Sequence, residues 1–295
     1  MVKKFSIPGY FLKFEEITIL LAYYKNHSKY FYTDRIIDST YDFPPGLIWN
    51  GGRILPFHNF DQEKLYQAAG YYKDADIKLR HTCTNLLLDE HMMYDWQSNL
   101  WVRITEKEGN SVITATDVMA QHIKKTYPLY NIIWSTTLDI TDINKINDLT
   151  QNDMVVLQYS RNTDDAYLKQ IQRPDRCEIL CAEPCLPYCP YRKEHYIENS
   201  KKQLWYQLDE GEYCLHNPPH LRYNLYDQLK FKTAVTNERI DQLADMGFQY
   251  FKISGRISVI TTWLEPIIYY LVLPEYRDYV RQELFNRIYK VVDPY

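Results

Sequence analysis

The stretch Ser111–Ser135, SVITATDVMAQHIKKTYPLYNIIWS, decides the reading of the fold. Ser111–Ala115 is a short β-rich run. Asp117 follows Thr116 as an N-cap, and a helix runs to Thr126, stopping before Tyr127-Pro128. Asn131–Ser135 is β-rich again. Strand, helix and strand within so few residues predict a parallel βαβ unit.

The same alternation extends in both directions. Lys4–Pro8, Lys29–Tyr32 and Ile77–Cys83 are the candidate strands on the N-terminal side; Met154–Gln158, Glu178–Ala182 and Gln249–Ile253 follow on the other. Val155-Val156-Leu157 is continuous and apolar, as a strand covered on both faces requires. Helices are expected over Asp142–Leu149, Asp164–Ile171, Thr236–Met246 and Glu275–Tyr289. Gly247 stands where a left-handed helix stop belongs. Eight strands alternating with helices in about 250 residues match a (β/α)8 TIM-like barrel, with an open doubly wound sheet as the other option. One α/β domain over 1–295 is the expectation. Neither G-x-G-x-x-G nor G-x-x-x-x-G-K-[ST] occurs, so the usual nucleotide-binding signatures of the open sheet are missing.

Two regions break the rhythm. Ile36–Phe60, with Pro44-Pro45 and Gly51-Gly52, reads as a long loop, and the segment around Phe43, Trp49 and Asn50 as a cover for the barrel mouth. Residues 183–231 read as an irregular insertion after the seventh strand. Loops of that length are usually functional or organised by a ligand.

Composition sets the remaining bounds. The 295 residues are 45% hydrophobic and 24% charged, which excludes a mainly disordered chain. The net charge of −4 disfavours a generic basic nucleic-acid binder but leaves room for a local basic pocket. Tyr is abundant, at 28 against 11 Phe and 6 Trp; coding bias accounts for it as readily as function does. Lys13, Glu15 and Glu16 interrupt the apolar stretch that a signal peptide needs. Trp263–Leu273 contains Glu265 and Pro266 and falls short of the ~20 apolar residues of a membrane span. The expectation is a soluble, cytoplasmic protein with no membrane partner.

Four of the six cysteines lie within thirteen residues, in CEILCAEPCLPYCPYRKEHY, Cys177–Tyr196, at a spacing of C-x3-C-x3-C-x3-C. Clustered cysteines in an intracellular chain favour metal or catalysis over disulfides. Pro184, Pro187 and Pro190 exclude a helix over the cluster. As a strand, Cys177 and Cys181 would share a face about 13 Å apart, too far for one small centre. Cys177 is therefore taken as structural. Cys185 and Cys189 lie in a loop able to wrap a metal, Cys181 stands at the strand end, and Cys214 is the natural distant ligand. Four thiolates suit Zn²⁺ or an iron–sulfur cluster, and spacing does not choose between them. Buried reduced thiols are the alternative reading.

The segment Glu183–Tyr196, EPCLPYCPYRKEHY, resembles a motif of the collagenase-like peptidase (U-32) family. Phe251–Arg256, FKISGR, is similar to that family's late Lys-Ile-Glu-Gly-Arg element, and Tyr213-Cys214 lies between them. The likeness runs from about Leu79 to Arg256 and leaves out residues up to about Asp76. It implies a barrel and, in many members, a [4Fe–4S] cluster on four cysteines. Some members are described as peptidases, others take part in oxygen-independent hydroxylation of RNA bases or a quinone precursor. Carried over, the ligands are Cys185, Cys189 and Cys214. The chain departs from the pattern in two places: no further Cys closely follows Cys214, leaving Cys181 as the fourth candidate, and the acidic residue of the late element is Ser254.

Barrel active sites lie where the strands end. There the chain offers Asn85, Ser135, Thr137 and Asn162 for substrate binding. Glu183, Arg192, His195, Lys252 and Arg256 are the catalytic candidates, with Glu183 as an acid or base and Arg suited to a carboxylate or phosphate. A small anionic molecule, a nucleotide or RNA is the expected substrate, with an electron donor unidentified. No G-x-S-x-G and no H-E-x-x-H occurs, and Cys83 with His81 or His91 is the nearest thing to a nucleophile pair. Three readings follow: an iron–sulfur redox enzyme, a metal-assisted hydrolase or peptidase, and a non-catalytic protein whose metal staples the long loop.

Overall fold

The computed structural model describes residues 1–51, 61–206, 224–255 and 259–292. Eight parallel strands close into one barrel in sequence order: β1 Lys3–Pro8, β2 Arg35–Asp42, β3 Lys78–Cys83, β4 Ser111–Thr114, β5 Asn131–Trp134, β6 Met154–Val156, β7 Cys177–Cys181 and β8 Tyr250–Ile253. β1 pairs with β8, so residues from both ends of the chain close the ring. The stretch up to Asp76, outside the family resemblance, supplies β1 and β2.

Helices fill the crossovers: α1 Phe14–Asn26, α2 Gln62–Asp74, α3 Trp96–Ile104, α4 Asp117–Thr126, α5 Ile143–Leu149 and α6 Asp165–Leu168. After β7 come α7 Arg192–Trp205, α8 Leu225–Gln228 and α9 Asn237–Asp245; after β8, α10 Ile260–Leu271 and α11 Arg277–Val292. Side chains cap many of their starts. Asp61, Asp95, Asp142, Asp164 and Thr236 each accept a first-turn N–H. The cap of α4 is Thr116, whose extended backbone lets its hydroxyl accept from Met119 N; Asp117 is the first helical residue instead. Past the end of α9 stands Gly247, which has φ +99° and whose successor Phe248 donates to Leu243 O at 3.1 Å.

One expected strand was misplaced. Lys29–Tyr32 is not in the barrel: Ser28–Tyr30 is a 3-10 turn and Phe31 makes an isolated bridge to Val272. The second strand is Arg35–Asp42, at the start of the expected long loop. Its sequence, RIIDSTYD, is polar because much of it faces a polar interior, so it lacks the apolar signal of a covered strand. Trp263–Leu273 lies mostly in α10, where Trp263, Ile267, Ile268 and Tyr270 are buried against the barrel. No helix among the described residues is long and apolar enough to cross a membrane.

The direction of the side chains follows from one ion pair. Arg80 on β3 contacts Glu178 on β7, and these strands are not neighbours, so the pair crosses the interior. Alternation then turns Leu180 inward with Glu178, and Cys177, Ile179 and Cys181 outward. On β3 it turns Thr82 inward, and His81 and Cys83 outward. Outward residues join the large apolar layer between strands and helices; Tyr41, Ile113, Ile133, Val156 and Leu180 form a separate inner cluster.

Candidate active site at the C-terminal mouth of the barrel

The inner cluster carries the loop that leaves β7. Tyr159, Cys185 and, half-buried, Cys189 pack on it. Ala182, the first residue past β7, has φ +53°, and Tyr188 has φ +58°. Left-handed non-glycine residues cost stability and concentrate at functional sites. The turn at Ala182 directs the chain across the mouth, and the neighbouring loop pins it there. Tyr159 donates its hydroxyl to Leu186 O. Tyr188 N donates to Ser160 Oγ at 3.0 Å, and the Tyr188 hydroxyl to Ser160 O at 3.0 Å.

Glu183 and Arg192 meet inside this frame. Glu183 Oε1 accepts from Cys185 N at 3.1 Å and lies 4.0 Å from Arg192 Nη1. Ser254 Oγ donates to Glu183 Oε2 at 3.4 Å. Both partners of the ion pair are buried, with side chains 9% and 5% exposed. The Arg192 guanidinium lies over Tyr159 at 4.5 Å and Tyr196 at 5.1 Å from the ring centroids. Burial pushes the Tyr159 phenol well above its ordinary range; the neighbouring Cys185 adds to this and Arg192 opposes it. Lys252, on β8 and buried, lies with Nζ 4.0 Å from the centroid of Tyr41. Two cations thus rest against aromatic rings of one cluster, a geometry in which ring quadrupoles stabilise positive charge.

Arg192 and His195 stand on the first turn of α7, whereas the sequence placed them in an irregular loop. α7 begins two residues past Pro190, with Tyr191 at its N-cap position. His195 is half-buried, its ring 6.4 Å from that of Tyr196. Cys214 and Arg256 lie outside the described residues.

The four substrate-binding candidates separate into three bonded and one open. Asn85 donates to Ile48 O and Ser200 O and accepts from Leu87 N, clasping two loops to α7. Ser135 accepts from Thr137 N and from its hydroxyl. Asn162 donates to Leu180 O at 3.0 Å, while its Oδ1 has no hydrogen-bond partner among the described residues despite burial. It lines a cavity of about 20 Å³ together with Tyr159, Glu183, Cys185, Gln228 and Thr233. That volume accommodates about one water-sized group. Sequence reasoning missed Tyr41, Tyr159, Tyr188 and Tyr196. Tyr abundance was the only signal, and nothing in it marks individual positions.

The cysteines divide between two compartments. Cys185 and Cys189 are at the mouth. Cys181 is fully buried in the outer layer, its thiol 3.8 Å from Ile179 O, and burial holds it well above the ordinary thiol range. Among the described residues no three His, Cys, Asp or Glu side chains come together as a metal site. Cys181 therefore stands in a different layer from Cys185 and Cys189. None of the five described cysteines is in a disulfide.

No family model matches the chain, and no curated protein matches it by sequence. Among solved structures, that of the U32 peptidase Mk0906 superposes with a TM-score of 0.54 at 13% identity, covering 86% of this chain and 94% of that one. At that identity the likeness is one of fold: the chain has the barrel of a U32 peptidase structure, over nearly the whole length of both.

Proposed function

We propose that the chain is a metal-dependent barrel enzyme whose active centre is this mouth and whose substrate is a small anionic molecule or nucleotide. The observation that carries the reading is the buried Glu183–Arg192 pair beside Cys185, at the face where barrel enzymes place their chemistry. Arg192 and Lys252 would hold the anionic group. Glu183, fixed by Cys185 N, would take or return a proton at its carboxylate. Cys185 and Cys189 are the ligands proposed for a soft metal, with Cys214 as the further thiol the sequence offers. Iron–sulfur redox chemistry, oxygen-independent hydroxylation included, is the preferred class on the family resemblance; a nucleobase, free or in RNA, is within it. A cytoplasmic, reducing compartment suits five cysteines outside any disulfide.

The neighbour's description as a peptidase favours one second reading, a zinc-assisted hydrolase. The Cys83–His81 pair that the sequence offers gives that reading no help. Cys83 and His81 are both fully buried in the outer layer, with the thiol pushed up and the imidazole pushed down to about 3.

Anaerobic purification followed by iron, acid-labile sulfide and zinc analysis tests the proposal. Iron with sulfide in the wild type, lost from a Cys185→Ala/Cys189→Ala variant, supports the redox class. Zinc lost in the same variant moves the assignment to hydrolysis. A wild type without metal, or a variant that retains it, overturns the proposal.

A further inference from the structure

The cavity beside Glu183 is walled by three separate parts of the chain. Tyr159 and Asn162 come from the loop after β6, Glu183 and Cys185 from the loop after β7, and Gln228 and Thr233 from the stretch that leads from α8 to α9. Bonds around the cavity hold these walls in place. Thr163 Oγ1 donates to Lys232 O at 2.9 Å, Arg239 Nε to Asn162 O at 3.0 Å, and the Tyr270 hydroxyl to Val235 O at 2.6 Å. Asn162 is only 2% exposed, and most of its polar groups are committed. Its N–H donates to Tyr159 O, its carbonyl accepts from Arg239, and its Nδ2 donates to Leu180 O. The bond to Leu180 O fixes the orientation of the amide, because an oxygen turned there would meet a second acceptor. Oδ1 is the atom left over, buried and without a hydrogen-bond partner among the described residues.

We infer that this cavity is a substrate subsite that takes one neutral hydrogen-bond donor, a hydroxyl or an uncharged amino group, from the molecule whose anionic group lies at Arg192 and Lys252. The inference rests on the anionic-substrate part of the proposed function. Volume sets the size of the group: about 20 Å³ holds one oxygen or nitrogen with its hydrogens and excludes a carboxylate or phosphate. The Asn162 acceptor sets its polarity, since a buried acceptor is costly to leave unmet and a second acceptor placed against it would be repelled. Charge excludes an ammonium. Glu183 already accepts from Cys185 N and Ser254 Oγ and is paired with Arg192, so a further cation would be buried with no carboxylate of its own. The substrate class is thus an anion that carries a hydroxyl or neutral amino group away from its charge, and Asn162 is the residue that selects for it.

The test titrates the full chain, purified anaerobically, with phosphate monoesters that differ only at the far end, and reads Kd by NMR. The probes are 2-hydroxyethyl, ethyl, 2-methoxyethyl and 2-aminoethyl phosphate, with their three-carbon counterparts. Wild type is expected to bind a hydroxyalkyl ester about three- to tenfold more tightly than the matching alkyl ester, the range of one neutral hydrogen bond. The methoxy ester, which has no hydrogen to donate, and the aminoalkyl ester, an ammonium at neutral pH, are expected to bind no more tightly than the alkyl ester. Asn162→Leu, which keeps bulk and removes the acceptor, is expected to bind hydroxyalkyl and alkyl esters alike. Equal binding of those two by wild type overturns the inference. So does a hydroxyl preference shared by the methoxy ester or retained in Asn162→Leu, and so does tightest binding of the aminoalkyl ester; in each case the anionic reading survives. The methoxy comparison is made on wild type and decides the matter even where Asn162→Leu fails to fold. Wild type that binds none of the esters overturns the anionic reading and the inference with it.

Discussion

His81 points outward from β3 into an aromatic box. Its Nδ1 lies 2.6 Å from the Tyr10 hydroxyl; its Nε2 lies 3.1 Å from the Tyr130 hydroxyl and 2.9 Å from Thr105 Oγ1. Burial lowers its pKa from 6.5 to about 3. The unfolded chain therefore binds a proton near pH 6.5 that the native state refuses until about pH 3. The contribution of this group is fully present above pH 6.5 and declines as pH falls through that window, by about 1.4 kcal/mol per unit. Urea denaturation from pH 7 to pH 4.5 should show this loss, and His81→Gln, though less stable at pH 7, should show a shallower slope. Parallel slopes for the two proteins would mean that the imidazole is already charged in the fold. The same burial makes a second expectation for Cys83, Cys177 and Cys181, whose thiols are all pushed up. A thiolate is the reactive form. Iodoacetamide should leave these three unmodified in native protein and label them once urea unfolds it, as read by peptide mass spectrometry.

At the scale of elements, legibility followed the environment of each strand. The unit over residues 111–135 was readable because its strands are apolar where they face the helices and its helix has a capping side chain and a proline stop. β2 was not, because Asp38, Ser39 and Asp42 are buried polar residues that local pattern assigns to a loop. The same polarity hid Tyr41. α7 was lost in the apparent insertion because its polar sequence, RKEHYIENSKKQLW, buries little besides Arg192, Tyr196, Ser200 and Gln203. Those few residues tie it to the loops after β2 and β3: Gln203 donates to Leu47 O at 3.0 Å, and Ser200 Oγ accepts from Leu86 N at 3.0 Å. Gly51 lets these loops touch. A Cβ there would stand 2.3 Å from the carbonyl carbon of Thr84 and 2.4 Å from Asn85 N, both backbone atoms. Gly51→Ala must separate the loops and is expected to cost about 1–3 kcal/mol, the range of overpacking elsewhere. Thermal and denaturant unfolding measure it; an unchanged midpoint would show that the two loops have room to part.

For the whole molecule, the barrel interior is divided between charge and apolar packing. Arg80, Asp38 and Glu178 form the ionic part, with Arg80 Nη2 3.5 Å from Asp38 Oδ2, and the Tyr250 ring lies beneath the guanidinium at 5.6 Å. Glu178 and Tyr250 belong to the N-terminal halves of their strands; Leu180 and Lys252 lie toward the mouth. The sequence made the barrel legible through its alternation of strands and helices. It could not show this division, which depends on contacts between β3 and β7 almost a hundred residues apart. The ionic part fixes the facing of β7, and with it which cysteines can serve the mouth. Burying two charges costs several kcal/mol per ion, and their attraction roughly offsets it; removing one partner leaves the other uncompensated. Glu178→Gln is therefore expected to destabilise the fold by about 3 kcal/mol, at the lower end of the range for broken buried pairs because Asp38 still faces Arg80. Arg80→Met/Glu178→Leu, which removes both charges and keeps volume, should recover much of that loss. Guanidinium denaturation of the single and double variants gives the comparison. If the double variant is as unstable as the single, the interior depends on the directional bond between these two residues and not on the cancellation of their charges.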